Sequence, residues 1–250
     1  MPKLKLVDPM SIVKPYHSDG SKKEQVADMF NAIAGKYDFL NRVLSLGIDV
    51  GWRKKTVRAV ARYQPRLVLD VATGTADLAM ALAKGCPGAQ VEGADISAGM
   101  LDVGRQKVVQ RGLANRVQLI LGDGEKLPFE DNRFDAVTVA FGVRNFENLQ
   151  AGLVDMLRVL KPGAPLAVLE FSQPTRQPFR AFYFFYFKHI LPRIGKWVSR
   201  DSAAYTYLPA SVEAFPYGQA FLDELAKAGY RNGSARPLTF GIATLYLAEK

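Results

Sequence analysis

The 250-residue chain is poor in the side chains that build disulfide frameworks and transition-metal sites: it has one cysteine, Cys86, and two histidines, His17 and His189. A single thiol excludes an internal disulfide and fits a reducing compartment. Cys86 stands in a Gly-Cys-Pro-Gly turn with no histidine near it in sequence, so it reads as a loop residue rather than an activated nucleophile. No Cys/His spacing suggests a zinc site, and no metal is expected. Long apolar runs are also missing. The longest apolar-aromatic stretch of note, Ala181 to Phe187, is far too short to cross a bilayer. The opening MPKLKLVDPM lacks the apolar centre of a signal peptide. The chain is therefore expected to be cytoplasmic.

Charge of one sign is in excess, with 33 Lys and Arg against 24 Asp and Glu, a net +9. Such a balance raises nucleic acid or an anionic membrane as partners. Two blocks carry much of it. Arg53, Lys54, Lys55, Arg58, Arg62 and Arg66 form one. The other spans 171–200, with Arg176, Arg180, Lys188, Arg193, Lys196 and Arg200 and no carboxylate.

Residues 1–21 show no periodicity and read as a mobile leader. Over 22–64 the pattern is helical: Val26, Met29, Phe30 and Ile33 share a face. A second short helix is expected over 37–46 and a third, basic one over 50–63. Strands then alternate with helices through 65–170. Strands fall at 66–71, 90–94, 117–121, 134–140 and 165–170, and Ser97 is placed to cap a helix. A helix over 149–160 ends at Lys161-Pro162-Gly163. Residues 171–215 interrupt the alternation with an aromatic, basic, helical cap. Residues 216–250 return as one amphipathic helix and two strands in a tight hairpin, one of them antiparallel at the sheet edge. The whole predicts an α/β fold, a doubly wound, mostly parallel sheet with a helical N-terminal segment and a helical cap insertion.

Ligands of such sheets lie beyond the carboxyl ends of the strands. Three acidic residues fall there. Asp70 precedes the turn Ala72-Thr73-Gly74-Thr75-Ala76, Asp95 ends the second strand, and Asp123 follows the third in Gly122-Asp123-Gly124-Glu125. Singly, each could be a turn or helix cap; in register they suggest a site. Gly74 permits a tight turn and close backbone approach. Asp95 can accept from both ribose hydroxyls, and Asp123 from an adenine amino group beside the backbone N–H of Gly124. Asp70 can orient the turn or attract an ammonium group. A dinucleotide would call for G-x-G-x-x-G and a phosphate loop for G-x-x-x-x-G-K-[ST]. The turn matches neither, and Asp77 adds negative charge where phosphate would sit. S-adenosylmethionine, which has no phosphate and carries a sulfonium, suits these carboxylates.

Several blocks resemble the menaquinone and ubiquinone biosynthesis C-methyltransferases from about Val26 to the C-terminus. They are Tyr37-Asp38-Phe39-Leu40-Asn41 with Ser45 and Trp52, Asp70 to Thr75, Leu127-Pro128-Phe129, Phe141-Gly142-Val143-Arg144-Asn145, Arg158 to Gly163, and Glu170-Phe171-Ser172. The strand-turn block is generic; the YD-x-x-N, FG-x-RN and E-F-S blocks are specific. Asp49, Leu40, Ala76, Ala164 and Ala140 replace a common histidine, methionine, glycine, glycine and serine.

The resemblance implies a class I methyltransferase that methylates a ring carbon of demethylmenaquinol or a related benzoquinol. It implies that Thr75, Asp95, Asp123, Gly124 and Ala140 line the cofactor. On the acceptor side, Arg144 can stabilise oxyanion charge as a ring hydroxyl ionises. Asn145 and Tyr37 can hydrogen-bond the second ring oxygen or a relaying water. A capping role for Arg144 and a packing role for Tyr37 are the structural alternatives.

Nine aromatics are interleaved with the six cations of 171–200. They suit a prenyl tail and a membrane surface, and place the chain at the inner face of the cell membrane. Nucleic acid is the less favoured partner. An RNA or small-molecule methyltransferase is the rival reading, and dimer packing is another use for the aromatics, leaving room for a homodimer.

Overall fold

The computed structural model describes residues 13–16, 19–45, 47–174, 177, 179–185 and 203–250. The elements are α1 (Lys22–Leu44), α2 (Ile48–Ala61), β1 (Leu67–Val71), α3 (Asp77–Gly85), β2 (Gln90–Asp95), α4 (Ala98–Gln110), β3 (Val117–Leu121) and β4 (Ala136–Ala140). A 3₁₀ turn (Val143–Asn145) follows, then α5 (Leu149–Val159), β5 (Pro165–Phe171), α6 (Phe179–Phe185), α7 (Ala203–Ala214), α8 (Gln219–Lys227), β6 (Arg231–Leu238), a second 3₁₀ turn (Thr239–Gly241) and β7 (Ala243–Glu249).

The strands read as apolar runs because both faces of the sheet are covered. One face packs Trp52, Val57, Leu82 and Leu101 from α2, α3 and α4. The other packs Leu153 and Met156 of α5 with Phe221 of α8 and Tyr246 of β7. Side-chain caps start two of the helices. The Ser97 hydroxyl accepts from Met100 N–H at 3.2 Å, and Asn148 Oδ1 accepts from Ala151 N–H at 3.0 Å.

The sheet order is β3-β2-β1-β4-β5-β7-β6. The first five strands are mutually parallel, and β7 pairs antiparallel with both β5 and β6. The antiparallel strand of the closing hairpin is therefore inserted one place in from the edge. The edge strand, β6, is exposed along most of its length and shifts register between Arg231 and Ser234, an irregularity that blunts edge pairing.

The two helices expected over 22–46 are one continuous helix. Phe30 and Tyr37, two turns apart on one face, meet edge-to-face at 5.8 Å, so the apolar stripe runs through Gly35 without a break. Of the cap, α6 and α7 are described. Arg176, Tyr186, Phe187, Lys188, Arg193, Lys196, Trp197 and Arg200, with the side chains of Phe182 and Phe184, lie outside the described residues. Phe179 stacks on Phe240 at 3.8 Å.

The switch point of the sheet lies between β1 and β4, where β1 neighbours both β2 and β4. Asp70, near the end of β1, is 1% exposed. Its carboxylate accepts from the hydroxyls of Thr73 and Thr138, each at 2.7 Å. It sits beneath the turn and braces it through Thr73. Burial pushes its carboxyl up to about 6, against the pull of the two hydroxyls and with a small push from Asp95.

An acid whose folded pKa is raised binds protons more tightly folded than unfolded. Its contribution to stability therefore falls as pH rises from about 4 to about 6 and is constant beyond. Asp70→Asn removes that dependence. Relative to wild type, the variant should gain on the order of 2–3 kcal/mol between pH 4 and pH 7 in urea unfolding. Parallel stability profiles would show that Asp70 carries no such burial cost.

Candidate functional site

A cleft opens at the carboxyl ends of β1, β2 and β4, lined among others by Gly74, Asp95, Asp123, Gly124, Ala140, Tyr37 and Asn145. That is where ligands of doubly wound sheets bind. Left-handed backbone occurs here. Ala72, Ala76 and Phe141 adopt left-handed φ of 51°, 65° and 58° without being glycine, and Gly74 lies at 55°. Gly142 is confined as well, since a Cβ there would stand 2.5 Å from that of Ala72. The turns after β1 and β4 thus touch and form the cleft floor.

Asp95 is 8% exposed. Its Oδ2 accepts from Gly74 N–H at 2.7 Å and its Oδ1 from Ser97 N–H at 2.8 Å. Burial pushes its carboxyl above the usual range, opposed by the N–H groups of Ser97, Gly74 and Ile96. Acceptor capacity remains on the carboxylate for the cleft that Asp95 lines. Asp123 Oδ1 accepts from Glu125 N–H at 2.9 Å, and its Oδ2 receives Lys23 Nζ at 2.5 Å. Gly124 is fixed by packing, because a Cβ would lie 2.8 Å from the Phe146 ring.

Lys23 belongs to α1, which lies across the strand ends. Lys22, its neighbour, donates to the carbonyls of Phe146 and Arg144 at 2.7 and 3.2 Å. Burial lowers the Lys22 ammonium to about 8, with Arg144 adding to the effect and Glu125 and Glu147 opposing it. At mid-helix, Asn31 Oδ1 accepts from Ser97 Oγ at 2.7 Å and from Gly99 N–H at 2.9 Å. Near the far end, Asp38 accepts from Thr75 Oγ1 and from Lys107 Nζ, each at 2.5 Å. Lys107 also pairs with Asp77 at 2.7 Å, and Arg53 pairs with both Asp77 and Asp49.

This network engages two residues singled out from sequence. Thr75 turns its hydroxyl to Asp38 and is not part of the cleft lining; Asp70 is buried below the turn. Arg144 is the third outside the lining. Its side chain is 6% exposed and pairs at 2.9 Å with the fully buried Glu170; it also donates to the Phe141 carbonyl. Burial raises the Glu170 carboxyl, and Arg144 opposes that rise. The tyrosine hydroxyl of Tyr37 is likewise raised by burial, with Asn41 and Arg144 pulling down and Asp95 pushing up. It therefore stays a hydrogen-bond donor at neutral pH.

Lining residues that local pattern did not single out include Lys23, Phe30, Met100 and Phe146. The helical face of Val26, Met29, Phe30 and Ile33 was a signal for burial, but not for burial against this cleft. Elsewhere the sequence blocks meet as packing units. Trp52, Phe141 and Phe171 cluster at 4.5–6.2 Å. Arg158 donates to the carbonyls of Leu127 and Phe129 at 3.1 and 2.7 Å.

Carboxylates without a phosphate cradle, in a cleft at the switch point, fit S-adenosylmethionine. Comparison with known proteins agrees. A SAM-dependent methyltransferase of Thermotoga maritima superposes with TM-score 0.63 at 15% identity, covering 90% of this chain and 99% of its own. Another from Aquifex aeolicus gives 0.53 at 22%, covering 73% and 81%. These likenesses establish the fold, that of the class I methyltransferases.

Among curated relatives, the demethylmenaquinone methyltransferase of Bacteroides fragilis is 46% identical over 242 residues, 97% of this chain and 99% of that protein. The ubiquinone/menaquinone biosynthesis C-methyltransferase UbiE of Geobacter sulfurreducens is 45% identical over 230 residues, 92% and 90% respectively. The sequence model of the ubiE/COQ5 methyltransferases matches residues 18–250. The chain is a member of the ubiE/COQ5 methyltransferase family and a methyltransferase that uses S-adenosylmethionine.

Proposed function

We propose that the chain methylates a ring carbon of a prenylated quinol, with demethylmenaquinol as its acceptor. The observation that carries this reading is the near-full-length identity to relatives bearing that name. A benzoquinol acceptor is the second reading, favoured by relatives whose name includes ubiquinone.

When bound, S-adenosylmethionine would supply its sulfonium methyl to the ring carbon, leaving as the neutral thioether S-adenosylhomocysteine, with the ring proton passing to water. Asp95, with acceptor capacity left toward the cleft, holds the ribose hydroxyls. Asp123 shares its carboxylate between Lys23 and the adenine amino group, while Gly74, Gly124 and Ala140 offer backbone to the cofactor. Asp70 and Thr75 support that surface from behind, Asp70 through Thr73 and Thr75 through Asp38. Tyr37 and Asn145 face the acceptor, Tyr37 donating to a ring oxygen and the open Asn145 Oδ1 accepting from a ring hydroxyl or a relaying water. Arg144, balanced by Glu170, acts on the acceptor's developing charge through a field that the carboxylate partly cancels, so hydrogen-bond donors carry more of the stabilisation than a free cation would.

The assay is direct. Purified protein with S-adenosylmethionine and short-tailed demethylmenaquinol, kept reduced, should yield the ring-methylated product by mass spectrometry. A demethylated benzoquinol supplied in parallel should react more slowly. No methylated naphthoquinol would end the reading, and a preference for the benzoquinol would install the second one.

Asp95→Ala should weaken S-adenosylmethionine binding by about 1.5 kcal/mol or more, roughly tenfold in Kd. It should also lower Tm, because Gly74 and Ser97 lose their N–H acceptor. Wild-type affinity by calorimetry in a folded variant would remove Asp95 from the cofactor site.

Among the described residues no helix is long and apolar enough to cross a membrane. We propose peripheral contact through the cations of 171–200, each contributing up to about 1 kcal/mol at an anionic surface. Lys188, Arg193 and Lys196 changed together to Gln should reduce flotation with anionic vesicles at low salt. Undiminished flotation would refute the contact.

A further inference from the structure

The residue left over once the cofactor cleft and its acceptor face are accounted for is Tyr207. It lies on α7, within the 171–215 cap but outside the blocks that carry the family resemblance. It is 4% exposed, and its hydroxyl finds no hydrogen-bond partner among the described residues. A buried hydroxyl without a partner costs about 1–3 kcal/mol, a cost that folding alone does not explain when phenylalanine would fill the same space.

Its surroundings say where the missing partner belongs. Tyr207 packs in one cluster with Val26 and Met29, against which Phe30 also lies; Val26 and Phe30 line the cleft. Helix α7 packs on the 3₁₀ turn that carries Arg144 and Asn145. Two further buried polar atoms on that turn lack partners, Arg144 Nε and Asn145 Oδ1, and Asn145 lines the cleft. Three orphaned polar atoms on two adjoining elements, one of them in the cleft lining and two packed behind it, mark a site for a small polar group that the protein itself does not fill.

We propose that Tyr207 is a further acceptor-site residue, whose hydroxyl donates to a ring oxygen of the bound quinol; the assignment rests on the quinol reading above. Burial pushes the phenol up to about 12, opposed by Arg144 and assisted by Glu170. It is therefore protonated at working pH and serves as a donor, not a base. A donor bond to oxygen strengthens as that oxygen gains charge. The contribution is thus larger in the transition state than in the bound ground state, and removing it lowers kcat more than it raises KM.

Tyr207→Phe deletes one oxygen and keeps the ring. The variant should keep or raise Tm, because the unpaired hydroxyl and its desolvation cost are gone. It should bind S-adenosylmethionine with wild-type affinity. Its kcat on demethylmenaquinol should fall at least ~10-fold, equally for short and long tails, as for a lost charge-assisted donor.

Wild-type kcat and KM would overturn the assignment and leave the hydroxyl as filler or a water site. A lowered Tm, a failure to fold, or a matching loss of S-adenosylmethionine affinity would make Tyr207 structural. A loss confined to long-tailed quinols would move it to the tail. Should wild type itself leave the quinol unmethylated, the acceptor reading fails and the inference fails with it. An active wild type beside an equally active variant defeats the inference alone.

Discussion

The site depends on α1 being held across the carboxyl ends of the sheet. Among its described side chains, the buried apolar ones are Val26, Met29 and Ala34. Polar links spaced along the helix supply the rest: Lys22 to the carbonyls of the loop after β4, Lys23 to Asp123, Asn31 to Ser97 and Gly99, and Asp38 to Thr75 and Lys107. Exposed ion pairs contribute little individually, and a typical hydrogen bond nets about 1 kcal/mol. Their value here is positional. They fix the helix at several points, so Phe30 and Tyr37 become a wall of the cleft and not a surface stripe.

The floor of the same cleft is held in a conformation that the chain would not choose locally. Left-handed backbone at Ala72, Ala76 and Phe141 costs on the order of 1–2 kcal/mol per residue. The local bonds that hold it are Thr73 to Asp70, Gly74 N–H to Asp95, and Phe141 N–H to the Leu169 carbonyl at 2.8 Å. Two strand-end carboxylates therefore have a structural task before any ligand arrives. Asp70 is fully spent on it, while Asp95 divides its oxygens between the turn and the cleft.

That division explains what was legible in the sequence. Strand periodicity and strand-end acids are local signals, so the parallel sheet and the placing of Asp95 and Asp123 at its carboxyl edge could be read directly. Asp70 carries the same signal, yet its side chain points into the sheet, toward Thr138 on the neighbouring strand. The partners of Thr75 and Arg144 were not legible for a related reason: Asp38 and Glu170 lie 37 and 26 residues away, and no periodicity encodes such pairs. The fusion of two expected helices into α1 was visible only once Phe30 and Tyr37 were seen to share a face. Of the basic block 53–66, Arg53 is absorbed internally by Asp49 and Asp77. Lys54, Lys55, Arg58, Arg62 and Arg66 remain exposed.

The ionisation states around the acceptor wall bear on how a quinol could react there. A phenolic hydroxyl with pKa near 10 must lose its proton at pH 7, which costs about 4 kcal/mol. Tyr37 and Tyr207 are both raised above the ordinary phenol value by burial, and the guanidinium of Arg144 is balanced by Glu170. Neither tyrosine is a base, and the arginine is not a free cation. Hydrogen bonds to charged groups are worth about 1.5–3 kcal/mol each. Two neutral donors on the ring oxygen would therefore offset most or all of the ionisation cost without an anionic base beside the ring. An added carboxylate at that wall would repel the phenolate it helped to form. A wall of neutral donors avoids this penalty, and the acidic residues remain on the cofactor side, where a sulfonium offsets their charge.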